Sequence, residues 1–212
     1  VMMPGDCEML YALGAGSLVV GRGEYCKYPA EVLDIEAVKS GQETNLEQII
    51  ALAPDVVVMT KMAQSVEHIQ ALEKAGIKTL VTDAQDIQGV YAAIALLGQV
   101  TGKTAEAAKL ESDMKAALAE VVTKVDGRKA GSAYYEASPL QWGLWASGSG
   151  TFMDELGQMA GLSNIFADSQ AWVEVSEEQV ISRNPDHIFT TTMYFGEGPK
   201  PEEEILTRAG WE

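Results

Sequence analysis

The 212-residue chain has room for one large or two small domains, and its 47% of hydrophobic residues can build a sizeable core. A formal net charge of −16 argues against a nucleic-acid-binding protein, because such proteins carry a basic face. Nowhere does the sequence contain an apolar run close to the ~20 residues that a membrane-spanning helix needs.

The first predicted helix covers the amphipathic stretch CEMLYALGAG and ends at Ala15-Gly16. Glycine suits this place because the residue after a helix often adopts a left-handed conformation. A second stretch of this kind, TFMDELGQMAG, ends at Ala160-Gly161. The two halves of the chain therefore share one pattern of a helix and its stop.

An internal repeat is the strongest signal in the sequence. Residues 45–60, NLEQIIALAPDVVVMT, align without a gap with residues 176–191, SEEQVISRNPDHIFTT. A repeat this distant is not that of a solenoid, whose units recur every 20 to 50 residues or so. It predicts two similar lobes in one chain, and clefts between lobes are where small molecules bind.

Each copy of the repeat predicts a helix that leads into a parallel strand. Thr44 with Glu47, and Ser176 with Gln179, form capping-box patterns that start a helix. A Pro-Asp pair then stops the helix, and an apolar run follows that is typical of a strand buried on both faces of a parallel sheet.

Residues 86–125 predict a nearly continuous helix, because the segment is rich in good helix formers and lacks proline. Only Thr101-Gly102-Lys103 interrupts it, and the part after this break would span ~33 Å at 1.5 Å per residue. The predicted fold class is therefore α/β, with two Rossmann-like lobes of parallel sheet joined by one long helix. The predicted domains are an N-terminal lobe at 1–84, a helical linker at 85–126 and a C-terminal lobe at 127–212.

Cys7 and Cys26 are the only cysteines, and their spacing matches no zinc-binding or haem-attachment motif. Both are expected in loops at the same edge of the first sheet. Two alternatives remain open from the sequence: a disulfide between them, or two inert and partly buried thiols.

His68, within a predicted helix, and His187, at a strand start, are the only histidines and are interpreted as structural. Two isolated histidines cannot supply the clustered ligands of a site for free zinc or manganese, so no protein metal site is predicted.

An enzyme acting on a phosphorylated or nucleotide substrate is the alternative function. Its support is the turn Gly148-Ser149-Gly150-Thr151 before a helix, where a phosphate could be received. The turn lacks the full GxGxxG pattern and the Walker lysine, and no nucleophile motif accompanies it. A loop-to-helix turn capped by Thr151 or Ser149 is therefore the favoured interpretation.

Several segments occur in a characteristic order. They are PGDCE with ALGAGSLVVG, EYCKYPAEV, TNLEQIIALAPDVVV, GIKTLV, GSGTFMDELGQMAGLSNIF and WVEVSEEQVISRNPDHIF. Together they resemble the substrate-binding proteins of ATP-binding-cassette importers for metal chelates, namely ferric siderophores, haem and cobalamin. The resemblance runs through essentially the whole chain. It implies two lobes bridged by one long helix, a ligand held between them, and no covalent chemistry.

The resemblance also implies features outside the ligand site. Members of the family add a final strand and a C-terminal helix after the position of Gly210-Trp211, so the second lobe is expected to be incomplete in this sequence. An extracytoplasmic location is implied, in the periplasm or on the cell surface as a lipoprotein, as is a monomer without a resident cofactor. One surface glutamate on each lobe, matched by Glu47 and Glu178, is implied to dock with arginines of the membrane permease. Capping of a helix N-terminus is the alternative role for both acids.

Ligand contacts are expected in loops at the strand ends that face the cleft. The candidates are Tyr25, Lys61 and Met62 in the first lobe, and Tyr135, Trp142, Trp145, Trp172 and Tyr194 in the second. Aromatic faces suit a flat macrocycle or an aromatic chelator, whereas ordinary packing of loop aromatics is the alternative.

The sequence leaves the chelate open. Similarity to the cobalamin binders places Tyr25 and Trp172 in the cleft, but Gly41 stands where those proteins have a cleft tryptophan, which weakens the cobalamin interpretation. For haem, the candidate iron ligands are Tyr25, Tyr135 and Tyr194, with no sequence feature to choose between them.

Overall fold

A computed structural model of the protein describes residues 1–40, 43–60, 66–191 and 199–211. The chain divides into two compact units, one of Val1–Ala84 with Gln88–Met114 and the other of Gln85–Ile87 with Lys115–Glu212. Within the described ranges, no helix combines the length and the apolar character that crossing a membrane requires.

The first unit is a layer of short parallel strands covered by helices. In chain order its elements are α1 (Pro4–Ala12), β1 (Arg22–Gly23), β2 (Ala37–Val38), α2 (Leu46–Ala51), β3 (Val56–Thr60), α3 (Val66–Lys74), β4 (Lys78–Thr82) and most of α4 (Ile87–Thr101). Strand β1 pairs in parallel with β2, and β3 pairs in parallel with β4.

The backbone of Val1 and Met2 joins the two strand pairs. The Gly23 N–H donates to the Val1 carbonyl at 2.8 Å, and the Met2 N–H donates to the Val58 carbonyl at 2.8 Å. Backbone hydrogen bonds therefore cross the first unit from β2 to β4.

Strand β3 lies between two apolar clusters, as its uninterrupted apolar run predicted. Val58 packs on one face with Leu10 and Leu13 of α1 and with residues of α4. Val57 and Met59 pack on the other face in a cluster that includes Leu72 of α3 and Ile49 of α2. Burial on both faces fixes the strand between helices.

The long helix α5 (Thr104–Val125) continues from the first unit into the second. It is separated from α4 at Gly102, whose φ of 72° is left-handed, so the break predicted at residues 101–103 is confirmed.

The second unit contains a mixed sheet. Its elements after α5 are β5 (Gly131–Ser138), β6 (Leu144–Ser147), α6 (Phe152–Met159), β7 (Leu162–Asn164), β8 (Trp172–Val175), α7 (Glu177–Arg183), β9 (His187–Thr190) and α8 (Pro201–Ile205). Strand β5 pairs in parallel with β7 and β9 and antiparallel with β6, and β8 is antiparallel to β6. The parallel pairing of β9 matches the prediction from the repeat, whereas the antiparallel strands β6 and β8 were not predicted.

The two predicted capping boxes have different outcomes. Ser176 caps α7 as predicted, accepting from the Gln179 N–H at 3.3 Å while the Gln179 side chain accepts from the Ser176 N–H at 2.9 Å. The box predicted at Thr44 is wrong, because Asn45 caps α2 and accepts from the Gln48 N–H at 3.1 Å. Asparagine is at least as strong an N-cap as threonine and lies one residue nearer the helix.

Of the two predicted helix stops, the one after α6 is confirmed and the one after α1 lies elsewhere. Gly161 follows α6 with a left-handed φ of 80°, as predicted. Helix α1 stops two residues earlier than predicted, at Gly14 with a φ of 69°. There the Gly14 N–H bonds the Tyr11 carbonyl and the Ala15 N–H bonds the Leu10 carbonyl, each at 2.9 Å, which satisfies the last turn of the helix.

Candidate functional site

In the first unit, the loop after β1 presents Tyr25 to solvent. Tyr25 is 45% exposed, whereas the neighbouring Cys26 is fully buried. Arg22 holds the loop, since its side chain donates to the Ile35 carbonyl and to the Cys26 carbonyl, each at 3.1 Å. The Glu24 carboxylate accepts from the backbone N–H of Ser40 at 3.2 Å. Tyr25 is thus an exposed aromatic side chain on a well-anchored turn.

A buried carboxyl group lies near the carboxyl ends of β3 and β4. The Thr82 hydroxyl donates to Asp6 Oδ1 at 2.8 Å, and Asp6 is only 2% exposed. Among the described residues, Asp6 Oδ2 and Thr60 Oγ1 are buried without a hydrogen-bond partner. Burial raises the pKa of Asp6 to about 6, against the hydrogen bond from Thr82, which lowers it. No pattern in the sequence predicts this group, because Asp6 and Thr82 are 76 residues apart.

In the second unit, aromatic side chains are exposed near the turn between β5 and β6. Trp142, in the 3-10 turn Leu140–Trp142, is 62% exposed, and Trp145 of β6 is 39% exposed. Trp172 begins β8 and is half-buried, with its ring edge-on to Phe152 at 6.3 Å between centroids. Trp142 and Trp145 therefore leave aromatic surface exposed to solvent, and Trp172 does so in part.

Tyr135 lies inside the second unit. It is only 5% exposed, its ring stacks on Phe189 at 5.5 Å between centroids, and its hydroxyl faces Gly157 of α6. Burial, with a smaller contribution from the charge of Asp154, raises the pKa of the Tyr135 hydroxyl. A buried phenol that resists ionisation is poorly suited to an iron ligand, so the position of Tyr135 does not favour its predicted role as a ligand contact.

Three other predicted ligand contacts, Lys61, Met62 and Tyr194, lie outside the described residues, as does Gly41. The histidines fit their structural interpretation: His68 lies within α3, and a ring nitrogen of His187 is 2.9 Å from the Ala130 carbonyl. In the part of the chain that the structure describes, no group of three or more His, Cys, Asp or Glu residues could hold a metal ion.

Two backbone N–H groups of the glycine turn before α6 are already hydrogen-bonded within the second unit. The Gly148 N–H donates to the Ala171 carbonyl at 2.7 Å, and the Ser149 N–H donates to the Ser169 carbonyl at 2.8 Å. Thr151 caps α6 by accepting from a backbone N–H of the first turn. Asp154 and Glu155, in the first turn of α6, would also repel a phosphate. The local geometry therefore favours a capped turn over a phosphate site.

A buried ion cluster connects β5 to the segment after α8. The Arg208 guanidinium donates to both Glu136 oxygens, at 2.6 and 3.1 Å, and its Nε donates to Glu204 at 3.0 Å. Burial disfavours the charge on Arg208, but hydrogen bonds and charge from the two carboxylates outweigh it and raise the Arg208 pKa. The guanidinium also lies over the Trp211 ring, 4.6 Å from its centroid. These contacts hold residues 204–211 on the sheet. Removing one member of the cluster would leave a buried charge without a partner, which is strongly destabilising.

Glu47 and Glu178 are exposed in the first turns of α2 and α7. A hydrogen bond from the Ser176 hydroxyl and the backbone N–H of the helix start lower the pKa of Glu178. Both carboxylates are accessible on their own units, one at the start of each repeated helix.

Comparison with known proteins gives consistent matches. Residues 2–212 match the model of a family described as periplasmic binding protein. The uncharacterized ABC transporter substrate-binding lipoprotein YvrC of Bacillus subtilis (strain 168) is 34% identical, over 99% of this chain and 66% of the relative. The vitamin B12-binding protein of Salmonella paratyphi A is 31% identical, over 88% of this chain and 69% of the relative. The chain thus spans about two thirds of the length of these curated relatives.

The fold also has close structural matches. A periplasmic heme binding protein from Pseudomonas aeruginosa superposes with a TM-score of 0.86 over 98% of this chain and 76% of that protein. Its sequence identity of 20% makes this a similarity of fold alone.

Asp6 gives a pH dependence that one substitution tests. Because the folded state raises the Asp6 pKa from 3.8 to about 6, neutral Asp6 contributes stability below pH ~4 that is lost as the pH rises through about 6. Asp6→Asn keeps an acceptor for Thr82 and cannot ionise. We expect the variant to be more stable than the wild type at pH 7.5 by about 2 kcal/mol, with the difference shrinking towards pH 4. Urea unfolding across this pH range measures it.

Asp186→Asn is the control with the opposite sign. Hydrogen bonds from the backbone N–H and hydroxyl of Ser132 lower the pKa of Asp186, so its carboxylate contributes stability above its ordinary pKa. This variant should lose stability at pH 7.5. A wild type and Asp6→Asn that differ equally at pH 4 and pH 7.5 would contradict the account of Asp6.

Proposed function

The chain belongs to the periplasmic binding protein family, and from that premise we propose that it captures an iron chelate, haem or a corrinoid outside the cytoplasm and delivers it to an ABC permease. It acts as a monomer, by binding alone and without covalent chemistry. The observation that carries the proposal is the exposed indole surface of Trp142 and Trp145 in a family whose relatives include vitamin B12-binding proteins.

Exposed indoles are the physical basis of the proposed ligand contact. A tryptophan that is 62% exposed, as Trp142 is, leaves apolar surface in water that a flat or macrocyclic ligand can cover. Trp145 stands on a strand, where backbone pairing with β8 limits its movement and so lowers the entropy that binding must remove. In the first unit, Tyr25 is the proposed contact for the same reason of exposure on an anchored turn.

The enzyme alternative has less support. The backbone N–H groups of Gly148 and Ser149 already donate within the unit, so the glycine turn offers few free donors to a phosphate. The family is one of substrate-binding proteins, which is consistent with capture and release as the whole mechanism.

Binding is tested with a panel of chelates. The purified protein is incubated with haemin, cyanocobalamin or ferric siderophores and separated by size, and absorbance of the chelate is followed. We expect one class of chelate to co-elute with the protein. Turnover of phosphate esters without co-elution of any chelate would contradict the proposal and favour the enzyme alternative.

Two variants locate the contact once a chelate binds. Trp142→Ala and Trp145→Ala should each weaken its binding roughly tenfold, equivalent to about 1.4 kcal/mol, because each removes an aromatic face from the ligand. Leu206→Ala is the matched control, since Leu206 is 80% exposed in the same unit without an aromatic ring, and its affinity should equal that of the wild type. Equal affinity in all four proteins would exclude these tryptophans from the site.

Delivery to the permease is proposed to use Glu47 and Glu178. Each exposed carboxylate can pair with a permease arginine, and a hydrogen-bonded charge pair that is desolvated at an interface contributes ~2 kcal/mol or more. Neither is among the proposed ligand contacts. The double variant Glu47→Ala/Glu178→Ala should therefore keep its affinity for the chelate and lose its stimulation of the permease ATPase.

The neighbouring Glu177 provides the control for helix effects. Glu177 lies in the same first turn of α7 and also interacts with the helix dipole, so Glu177→Ala removes a similar 0.3–1 kcal/mol. It should leave ATPase stimulation intact. If the double variant stimulates the permease as well as the wild type does, Glu47 and Glu178 are helix-start residues only.

A further inference from the structure

Two buried thiols lie together beneath the Tyr25 loop. Cys7 lies in α1 and Cys26 in the loop after β1, and both are 0% exposed. They form one apolar cluster with Val32, against which Tyr11 packs. Both are free thiols in this structure.

The two thiols face each other as hydrogen-bond partners. This hydrogen bond lowers the pKa of Cys26 and raises that of Cys7, and burial raises the Cys7 pKa further. Cys26 lies in a loop whereas Cys7 lies within α1, so Cys26 is the thiol that an oxidant reaches first when the loop opens. Thiolates rather than thiols are the nucleophiles in disulfide exchange. Two thiols side by side in one buried cluster are what closure into a disulfide requires.

We propose that Cys7 and Cys26 are a redox pair that closes into a disulfide in an oxidising compartment, and that this bond fixes the Tyr25 loop to α1. Of the two alternatives left open by the sequence, the contact between the thiols favours the bond over two inert cysteines. Disulfides form and persist outside the cytoplasm, which is where the proposed function places the protein.

A small disulfide, such as glutathione disulfide, can serve as the oxidant for the formation of the Cys7–Cys26 bond. The Cys26 thiolate attacks one sulfur of the oxidant and expels the first glutathione thiolate. Cys7 then loses its proton and attacks the Cys26 sulfur of the mixed disulfide, expelling the second thiolate. Two protein thiols are oxidised, one glutathione disulfide is reduced, and both protons end on glutathione.

Access to Cys26 depends on opening of the loop. The side chains on either side, Tyr25 and Lys27, are exposed, whereas Cys26 points inward. The backbone of Cys26 is held by donation from Arg22 to its carbonyl at 3.1 Å. Oxidation should therefore be slower than that of an exposed thiol and should accelerate in Arg22→Ala, which removes this anchor.

The bond would stiffen a proposed ligand contact, and this consequence rests on the proposed function. Cys26 is adjacent to Tyr25 in the chain, so a covalent tie at Cys26 restricts the position of the tyrosine ring. A contact that is already ordered loses less entropy on binding. The bond also closes a short loop of the unfolded chain, for which a rise in Tm on the order of 5 to 10 °C is expected.

The test begins with the wild-type protein. It is reduced, exposed to glutathione disulfide, unfolded and alkylated, and then measured by intact mass and peptide mapping. We expect loss of two hydrogens, no alkylation, and a linked peptide pair containing Cys7 and Cys26. The oxidised form should melt higher than the reduced form and should show slower amide exchange at residues 24–28. Cys7→Ser should instead stop at a glutathione adduct on Cys26 and show no such rise in Tm.

Two results would overturn the proposal. One is full alkylation of both thiols in wild-type protein after oxidation, and the other is a stable glutathione adduct on Cys26 that Cys7 does not resolve. Chelate binding is measured separately on the oxidised form. A disulfide that forms while haemin, cyanocobalamin and ferric siderophores all fail to bind would contradict the proposed function and leave the redox pair supported.

Discussion

Parallel pairing of strands constrains both units in the same way, because it places the carboxyl ends of neighbouring strands at one edge of a sheet. In the first unit, the Tyr25 loop follows β1, and the Asp6–Thr82 hydrogen bond lies where β4 ends. In the second unit, β5 is the strand on which the others depend, since it pairs with β6, β7 and β9. The exposed Trp142 and Trp145 follow its carboxyl end.

Polar groups at two places in the second unit are already engaged within that unit. The glycine turn before α6 donates its N–H groups to carbonyls of its own unit, and Arg208 is fully engaged with Glu136 and Glu204. The aromatic surface is different, since Trp142 keeps most of its area in water. Exposed aromatic area of this kind is the basis of the proposed contact with a flat or macrocyclic ligand.

Local patterns in the sequence predicted the repeated units well, because capping, helix stops and apolar strands depend on neighbouring residues. The capping box at Ser176 and the breaks at Gly102 and Gly161 are examples. Where two residues compete for the same local role, the pattern was less decisive, as with Asn45 and Thr44. Pairs that are far apart in the chain were missed. Glu136 and Arg208 are 72 residues apart, and only folding brings them together.

The most direct test of the central claim uses the four tryptophans as reporters. Their indole N–H signals are assigned by NMR and followed while the tightest-binding chelate is added. We expect the signals of Trp142 and Trp145 to shift most, and Trp211, packed on Arg208 and Tyr134 within its unit, to serve as an unshifted reference. Saturable binding that shifts Trp211 and leaves Trp142 and Trp145 unchanged would contradict the assignment of the ligand site.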